Sequence, residues 1–148
     1  MMDTQHAADE AAVRQQIDRL AGAIRAGDLE RLRPIFAPDI VSFDVGPPLQ
    51  RVGVEGKLQN WAEAFALFQL PLEYEIRDLT LTLGRDVAFA HGFGRLSGTL
   101  KNGTSSSGFW VRYTVCLRKI AGSWLIVHDH VSAPLDFESG SAVLNLEP

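Results

Sequence analysis

Apolar positions recur with two different periods along the chain, and the period changes near Leu70. In the first half, Val13, Ile17, Leu20 and Ile24 fall at i, i+4, i+7 and i+11, one stripe of an amphipathic helix. Gly27 stops that helix and Asp28 is placed to cap the next. The second helix carries Leu29, Leu32, Ile35 and Phe36; Pro34 interrupts it and Pro38 lies just beyond its end. A short strand over 40–43 and a Gly46-Pro47-Pro48 break follow. A third helix fits Val54, Leu58, Trp61, Phe65 and Phe68.

The second half alternates with period two. Leu72, Tyr74 and Ile76 share one face; Leu79, Leu81 and Leu83 continue in the opposite phase, so a bulge or bend is predicted at Arg77-Asp78. Strands are predicted over 87–100, 109–119 and 124–131, with Asn102-Gly103 a hairpin signal and Ala121-Gly122-Ser123 a turn. Helices followed by an antiparallel meander predict an α+β domain with helices packed on one face of a curved sheet. The domain is placed at residues 10–135, with terminal extensions at 1–9 and 136–148.

Composition narrows the function classes. The chain has 148 residues, 46% hydrophobic and 22% charged, which fits one globular domain. Fourteen basic against eighteen acidic residues give a formal charge of −4, which disfavours nucleic acid and anionic membranes as partners. A single cysteine, Cys116, excludes a disulfide framework and a cysteine-rich zinc site. The polar, acidic start reads as no signal peptide, and no apolar run approaches the ~18 residues of a membrane span, so a cytoplasmic protein is expected.

Candidate chemistry lies on the last strands. Val111, Tyr113, Val115 and Leu117 form the more apolar face of one strand, and Leu125, Val127, Asp129 and Val131 that of the next. Asp129 is thereby set on an apolar wall, where a carboxylate must be paired, hydrogen-bonded or kept neutral by desolvation. Asp44, before a glycine-proline turn, is the second acid; its plain reading is turn chemistry. His128 and His130, two apart on one strand face, lack a third ligand, so no metal is called for. Their plain reading is a bridge to a neighbouring loop or subunit. Trp110, Arg112, Thr114, His128 and His130 make an outer sheet face that predicts a symmetric homodimer. Ala88, Ala90, Gly92 and Gly94 share a face in a central strand and leave room for a pocket, walled by Trp61 and Tyr113. His91, Arg112, His128 and His130 complete the substrate-binding candidates.

Five segments carry a resemblance. Gly27-Asp28-Leu29, Ile35-Phe36-Ala37-Pro38-Asp39 and Val41-Ser42-Phe43-Asp44 resemble the opening of the SnoaL-like and ketosteroid-isomerase-like group. The run from Gly122 to Pro134 resembles that group's C-terminal strand, and also the end of the association domain of calcium/calmodulin-dependent protein kinases. Trp110-Val111-Arg112-Tyr113-Thr114 fits the penultimate strand. The resemblance implies the NTF2-like cone: three N-terminal helices in a strongly bent, mostly antiparallel sheet, with a pocket at the wide end and a homodimer through the sheet. It puts Asp44 at the isomerase's general-base position. The isomerase's two oxyanion donors fall on Leu20 and near Val115, so steroid isomerisation is not expected. The functional expectation is a cofactor-independent lyase, isomerase or cyclase acting on a small apolar or carbonyl-containing ligand, with Asp44 as base and Asp129 as acid or hydrogen-bond donor. The alternative is a non-catalytic ligand-binding or assembly dimer of the same fold.

Overall fold

A computed structural model describes residues 4–148. Helix α1 (Thr4–Ala26) buries the stripe Val13, Ile17, Leu20 and Ile24, none more than 2% exposed. Gly27, at φ 63°, ends it by donating to Ile24 O, and Asp28 then caps α2 (Leu29–Leu32) by accepting from Arg31 N at 3.1 Å. Pro34 sits in a 3₁₀ turn (Arg33–Ile35), where its missing N–H costs nothing, and the chain passes straight into β1 (Phe36–Phe43). β1 starts earlier than the sequence period predicts because Pro38 and Asp39 mask the alternation. The two-residue β2 (Arg51–Val52) precedes α3 (Val54–Phe65).

Four long strands follow from the second half: β3 (Glu73–Leu83), β4 (Val87–Thr99), β6 (Trp110–Ile120) and β7 (Ser123–Ser132). The short β5 (Ser105–Ser106) closes a hairpin on β4 across the Asn102-Gly103 turn. The sheet runs β2-β1-β7-β6-β4-β3, antiparallel throughout except where β1 lies parallel to β7. It is a strongly curled half-barrel around the helices, an NTF2-like α+β cone. The predicted bulge in β3 is present: pairing with β4 shifts between Arg77 and Thr80, and Asp78 adopts φ 57°. A last hairpin, β8 (Leu135–Asp136) with β9 (Ser141–Ala142), lies within the segment read as a terminal extension.

Two sets of polar bonds fix α1 across the cone. Asp9 accepts from Lys119 Nζ (3.0 Å), Trp124 Nε1 (3.2 Å) and Gln5 Nε2 (3.1 Å), tying the helix start to β6 and β7. The bond from Lys119 holds the Asp9 carboxyl below its usual pKa. At the other end, Arg25 donates to Tyr74 O and accepts from Leu72 N. Helix α1 therefore runs through residues 4–9 as well, and Asp9 is one of the buried polar groups.

One strand corrects the sequence reading. In β7 the pairing with β6 slips between Cys116–His128 and Leu117–Ile126, so Val127 is an extra residue. A bulge reverses which side chains face inward. Trp124 and Ile126 are buried before it, and Asp129 and the cavity-lining Val131 face inward after it. Uninterrupted alternation put Leu125 and Val127 inward and Trp124 and Ile126 outward. The outward placement of His128 and His130 is unaffected, because both lie beyond the bulge.

Candidate active site

The cone holds a cavity of about 410 Å³. Its walls come from α1 (Leu20, Ile24), α3 (Trp61, Ala64) and the sheet (Tyr74, Gly94, Leu96, Val111, Tyr113, Val131). The size falls in the range typical of small-molecule sites. Gly94 is the one small residue of the predicted Ala88–Gly94 face that lines the cavity; a Cβ there would sit 3.1 Å from the Tyr74 hydroxyl oxygen. Ala88 and Ala90 are buried in the core, and Gly92 is packed under β3 backbone, 2.9 Å from Arg77 O at the Cβ position.

Asp44 and Asp129 both line this cavity, and a residue the sequence reading passed over holds them together. Lys57 Nζ lies 2.7 Å from Asp44 Oδ1, 2.9 Å from Asp129 Oδ2 and 3.0 Å from Ser42 Oγ. An ammonium has three hydrogens, and these three acceptors use all of them. Ser42 also contacts Asp129 Oδ1 in a very short hydrogen bond and Asp44 Oδ1 at 3.1 Å. Its single hydroxyl hydrogen serves one of these two oxygens at a time. The side chains are 3% (Lys57), 6% (Asp44) and 3% (Asp129) exposed, so two formal negative charges and one positive charge share a site almost free of water. Of the fates open to a carboxylate on an apolar wall, pairing with Lys57 is the one found. The ammonium also lies over the rings of Phe36 and Trp61, 5.9 and 5.8 Å from Nζ to the centroids.

The geometry follows from local sequence. Ile40, Ser42 and Asp44 alternate along β1 and its exit, so all three face inward. β1 lies beside β7 with Ser42 opposite Asp129, which places serine and carboxylate side by side. Lys57 stands on α3 at i+3 from Val54 and i−4 from Trp61, on the face that packs inward.

Three buried side-chain atoms at this cavity have no hydrogen-bond partner among the described residues: Asp44 Oδ2, Trp61 Nε1 and Tyr113 Oη. Native interiors leave few such groups unsatisfied. Here an acceptor and two donors are left over beside one pocket.

Burial, and then the charge of Asp129, push the Tyr113 phenol well above its usual pKa and Tyr74 up to about 12. Both remain neutral hydroxyls throughout the neutral range. An unfolded tyrosine ionises near pH 10, whereas these two still hold their protons there. Above about pH 10 the unfolded chain therefore ionises these phenols while the folded one keeps them neutral, so folding stability is unaffected below about pH 10 and falls as the pH rises beyond it. Urea titrations at pH 9, 10 and 11 should show a falling midpoint, and Tyr113→Phe should flatten the fall.

The remaining candidates lie on the outer face of the sheet. His91 and His130 are exposed; Arg112 is exposed and donates from Nε to Ser132 Oγ (3.0 Å). His128 donates from Nδ1 to Val41 O (2.6 Å) and packs edge-on against Phe43, as His130 does. None of the four lines the cavity, because alternation on β4, β6 and β7 turns them away from it. Trp110 shares that outer face, covered by the guanidinium groups of Arg77 and Arg95 at 4.5 and 4.8 Å from its ring centroid. Cys116 is also outside the cavity, and burial raises its thiol pKa, so it is no activated nucleophile. Among the described residues no three histidine, cysteine or acidic side chains are grouped to hold a metal ion, and no helix is long and apolar enough to cross a membrane.

Solved structures place the architecture among known proteins. An NTF2-like protein of unknown function from Pseudomonas putida KT2440 is 32% identical, with 96% of this chain and 98% of that one covered and a TM-score of 0.86. A proposed calcium/calmodulin-dependent protein kinase II association domain from Xanthomonas campestris is 26% identical over 85% of this chain and 86% of its own, with a TM-score of 0.71. A proposed dehydratase of the NTF2-like family from Streptomyces avermitilis shares the fold at 18% identity, with coverage of 88% and 99% and a TM-score of 0.75. No curated protein matches. The model of the SnoaL-like domain matches residues 13–136, and the chain belongs to that family.

Proposed function

We propose that the protein is a cofactor-independent acid–base enzyme that removes a proton next to a carbonyl group and either returns it to a second carbon, completing an isomerisation, or passes it to a departing β-hydroxyl, which leaves as water and completes a β-elimination. The observation that carries this is Asp44. Its Oδ1 is fixed by Lys57, while its Oδ2 is buried at the cavity without a partner. A base needs a fixed carboxylate with one free lone pair within reach of the substrate. Tyr113 Oη and Trp61 Nε1 supply hydrogen-bond donors for the oxygen on which charge develops. They stand in for the two donors absent at Leu20 and Val115. Asp129 acts on the base through Lys57 and Ser42, which it shares with Asp44. Structural neighbours described as a proposed dehydratase and a proposed scytalone dehydratase are consistent with elimination chemistry on this fold.

Tyr113→Phe tests the reading. Removing a buried hydroxyl that has no partner leaves folding stability unchanged or raised. Removing a donor to the developing oxyanion lowers turnover by about 10²–10³-fold. Calorimetry and a turnover assay on the same sample separate the two. Loss of stability with full activity would assign Tyr113 a structural role instead.

The Asp44–Lys57 salt bridge also suits a second reading, a dimer whose pocket binds a ligand without turnover. Either reading fits a homodimer through the outer sheet face, where Val87 and Phe89 are 53% and 45% exposed beside His91 and His130. Light scattering at micromolar concentration should give twice the 16.3 kDa chain mass; a monomer would remove the dimer from both readings.

A further inference from the structure

We infer that the cavity selects an uncharged ligand carrying both a hydroxyl and a carbonyl group, and rejects carboxylates and phosphates of the same shape. This deepens the acid–base reading by naming a substrate class. Its evidence is the charge balance of the buried cluster and the three orphaned polar atoms beside one apolar space.

Among the residues lining the cavity, Lys57 is the single cation. Its three hydrogens are committed to Ser42, Asp44 and Asp129, so none is left for an incoming anion. Against it stand two carboxylates, which leave the cluster one formal negative charge in excess. An anionic ligand would be brought beside that excess in a site where water screens little. Tyr74 and Tyr113 stay neutral and supply no compensating charge.

The orphaned atoms define the other half of the selection. Asp44 Oδ2 only accepts, so it calls for a hydroxyl or N–H on the ligand. Trp61 Nε1 only donates, and the Tyr113 hydroxyl donates in the same space, so together they call for an acceptor such as a carbonyl oxygen. A purely apolar ligand would leave all three unsatisfied, and an ammonium would leave the Trp61 donor unanswered. A neutral hydroxy-ketone answers all three. Phe36, Phe68 and Phe109 supply apolar wall for the rest of the molecule.

The test uses matched ligands on three frames, phenyl, naphthyl and biphenyl, each carrying a side chain with a hydroxyl on its first carbon, so that Asp44 Oδ2 reaches both that hydroxyl and the proton on the next carbon. One CH₂ further on, the side chain ends in a methyl ketone, a carboxylate or an aminomethyl group; a fourth series replaces the hydroxyl of the ketone by methoxy. Binding to the full chain is measured calorimetrically near pH 6, where the carboxylates are charged. On the frame that fits best, the hydroxy-ketone should bind at least tenfold more tightly than each of its three partners. Asp44→Asn, which removes the excess charge, should narrow the gap between ketone and carboxylate at least threefold. Tyr113→Phe, which keeps the charge, should weaken the ketone and leave the carboxylate as poor as before. A carboxylate or amine that binds as tightly as the ketone, a methoxy-ketone equal to the hydroxy-ketone, or no binding on any frame would overturn the inference. Failure here and failure of the acid–base reading are separable. Selective binding without turnover removes the catalysis alone, and Asp44-dependent turnover of an anionic substrate removes the selectivity alone.

Discussion

Asp44→Asn should abolish the proposed turnover and leave the fold intact. Asparagine has nearly the same shape as aspartate, and its carbonyl oxygen still accepts from Lys57. The change leaves Lys57 and Asp129 as a one-to-one ion pair at 2.9 Å, so no buried charge is stranded. An amide cannot take a proton from carbon at neutral pH. General-base contributions are typically 10²–10⁴-fold, and a loss of that size is expected in kcat. Thermal unfolding of the variant should stay within a few degrees of wild type. A variant that keeps full activity would remove Asp44 from the chemistry, and one that fails to fold would make it a structural residue.

Lys57→Met has the opposite signature: it damages the fold. Methionine has a similar length and volume and keeps an apolar side chain near Phe36 and Trp61. It leaves Asp44 and Asp129 with Ser42's single hydroxyl hydrogen between them and without their cation. Removing one partner of a buried pair costs about 3–5 kcal/mol, because the charge left behind is uncompensated. Typical domains hold only about 5–15 kcal/mol in total, so the midpoint should fall by on the order of 10 °C. The second substitution Asp129→Asn in the Lys57→Met background removes one stranded charge and should restore part of the loss. Such non-additivity is the mark of residues acting as one cluster. A Lys57→Met protein as stable as wild type would mean that the three side chains do not share a buried site.

The legible features and the missed ones have different physical origins. The stripe Val13, Ile17, Leu20 and Ile24, the Asp28 cap and the slip at Arg77-Asp78 are local, and local period or turn chemistry shows them. Asp129 stood out as an acid on an apolar wall, Asp44 only through the family resemblance, and Trp61 and Tyr113 as aromatics on apolar stripes; all four line the cavity. Lys57 was legible in principle. It occupies a core position of the third helical stripe, between Val54 and Trp61, where a lysine requires a partner. Reading only the apolar members of that stripe hid it. Ser42, flanked by Val41 and Phe43, was hidden for the same reason: it shares the inward face with Ile40. The parallel pairing of β1 with β7 depends on contacts across some 87 positions, such as Ser42 with Asp129, and the bulge at Val127 shows only in the pairing of β7 with β6; no local period encodes either. Without that bulge, Asp129 could not share the inner face with both Trp124 and Ile126.

Exchange of solvent deuterium tests the central claim, that Asp44 removes a proton next to a carbonyl. The hydroxy-ketone that binds most tightly is incubated in D₂O with wild type or Asp44→Asn, and its α-carbon protons are followed by NMR. Wild-type protein should wash the α-proton signal out well above the buffer rate, and Asp44→Asn should exchange it no faster than buffer alone. Equal exchange with both proteins, or none above buffer with wild type, would contradict the account.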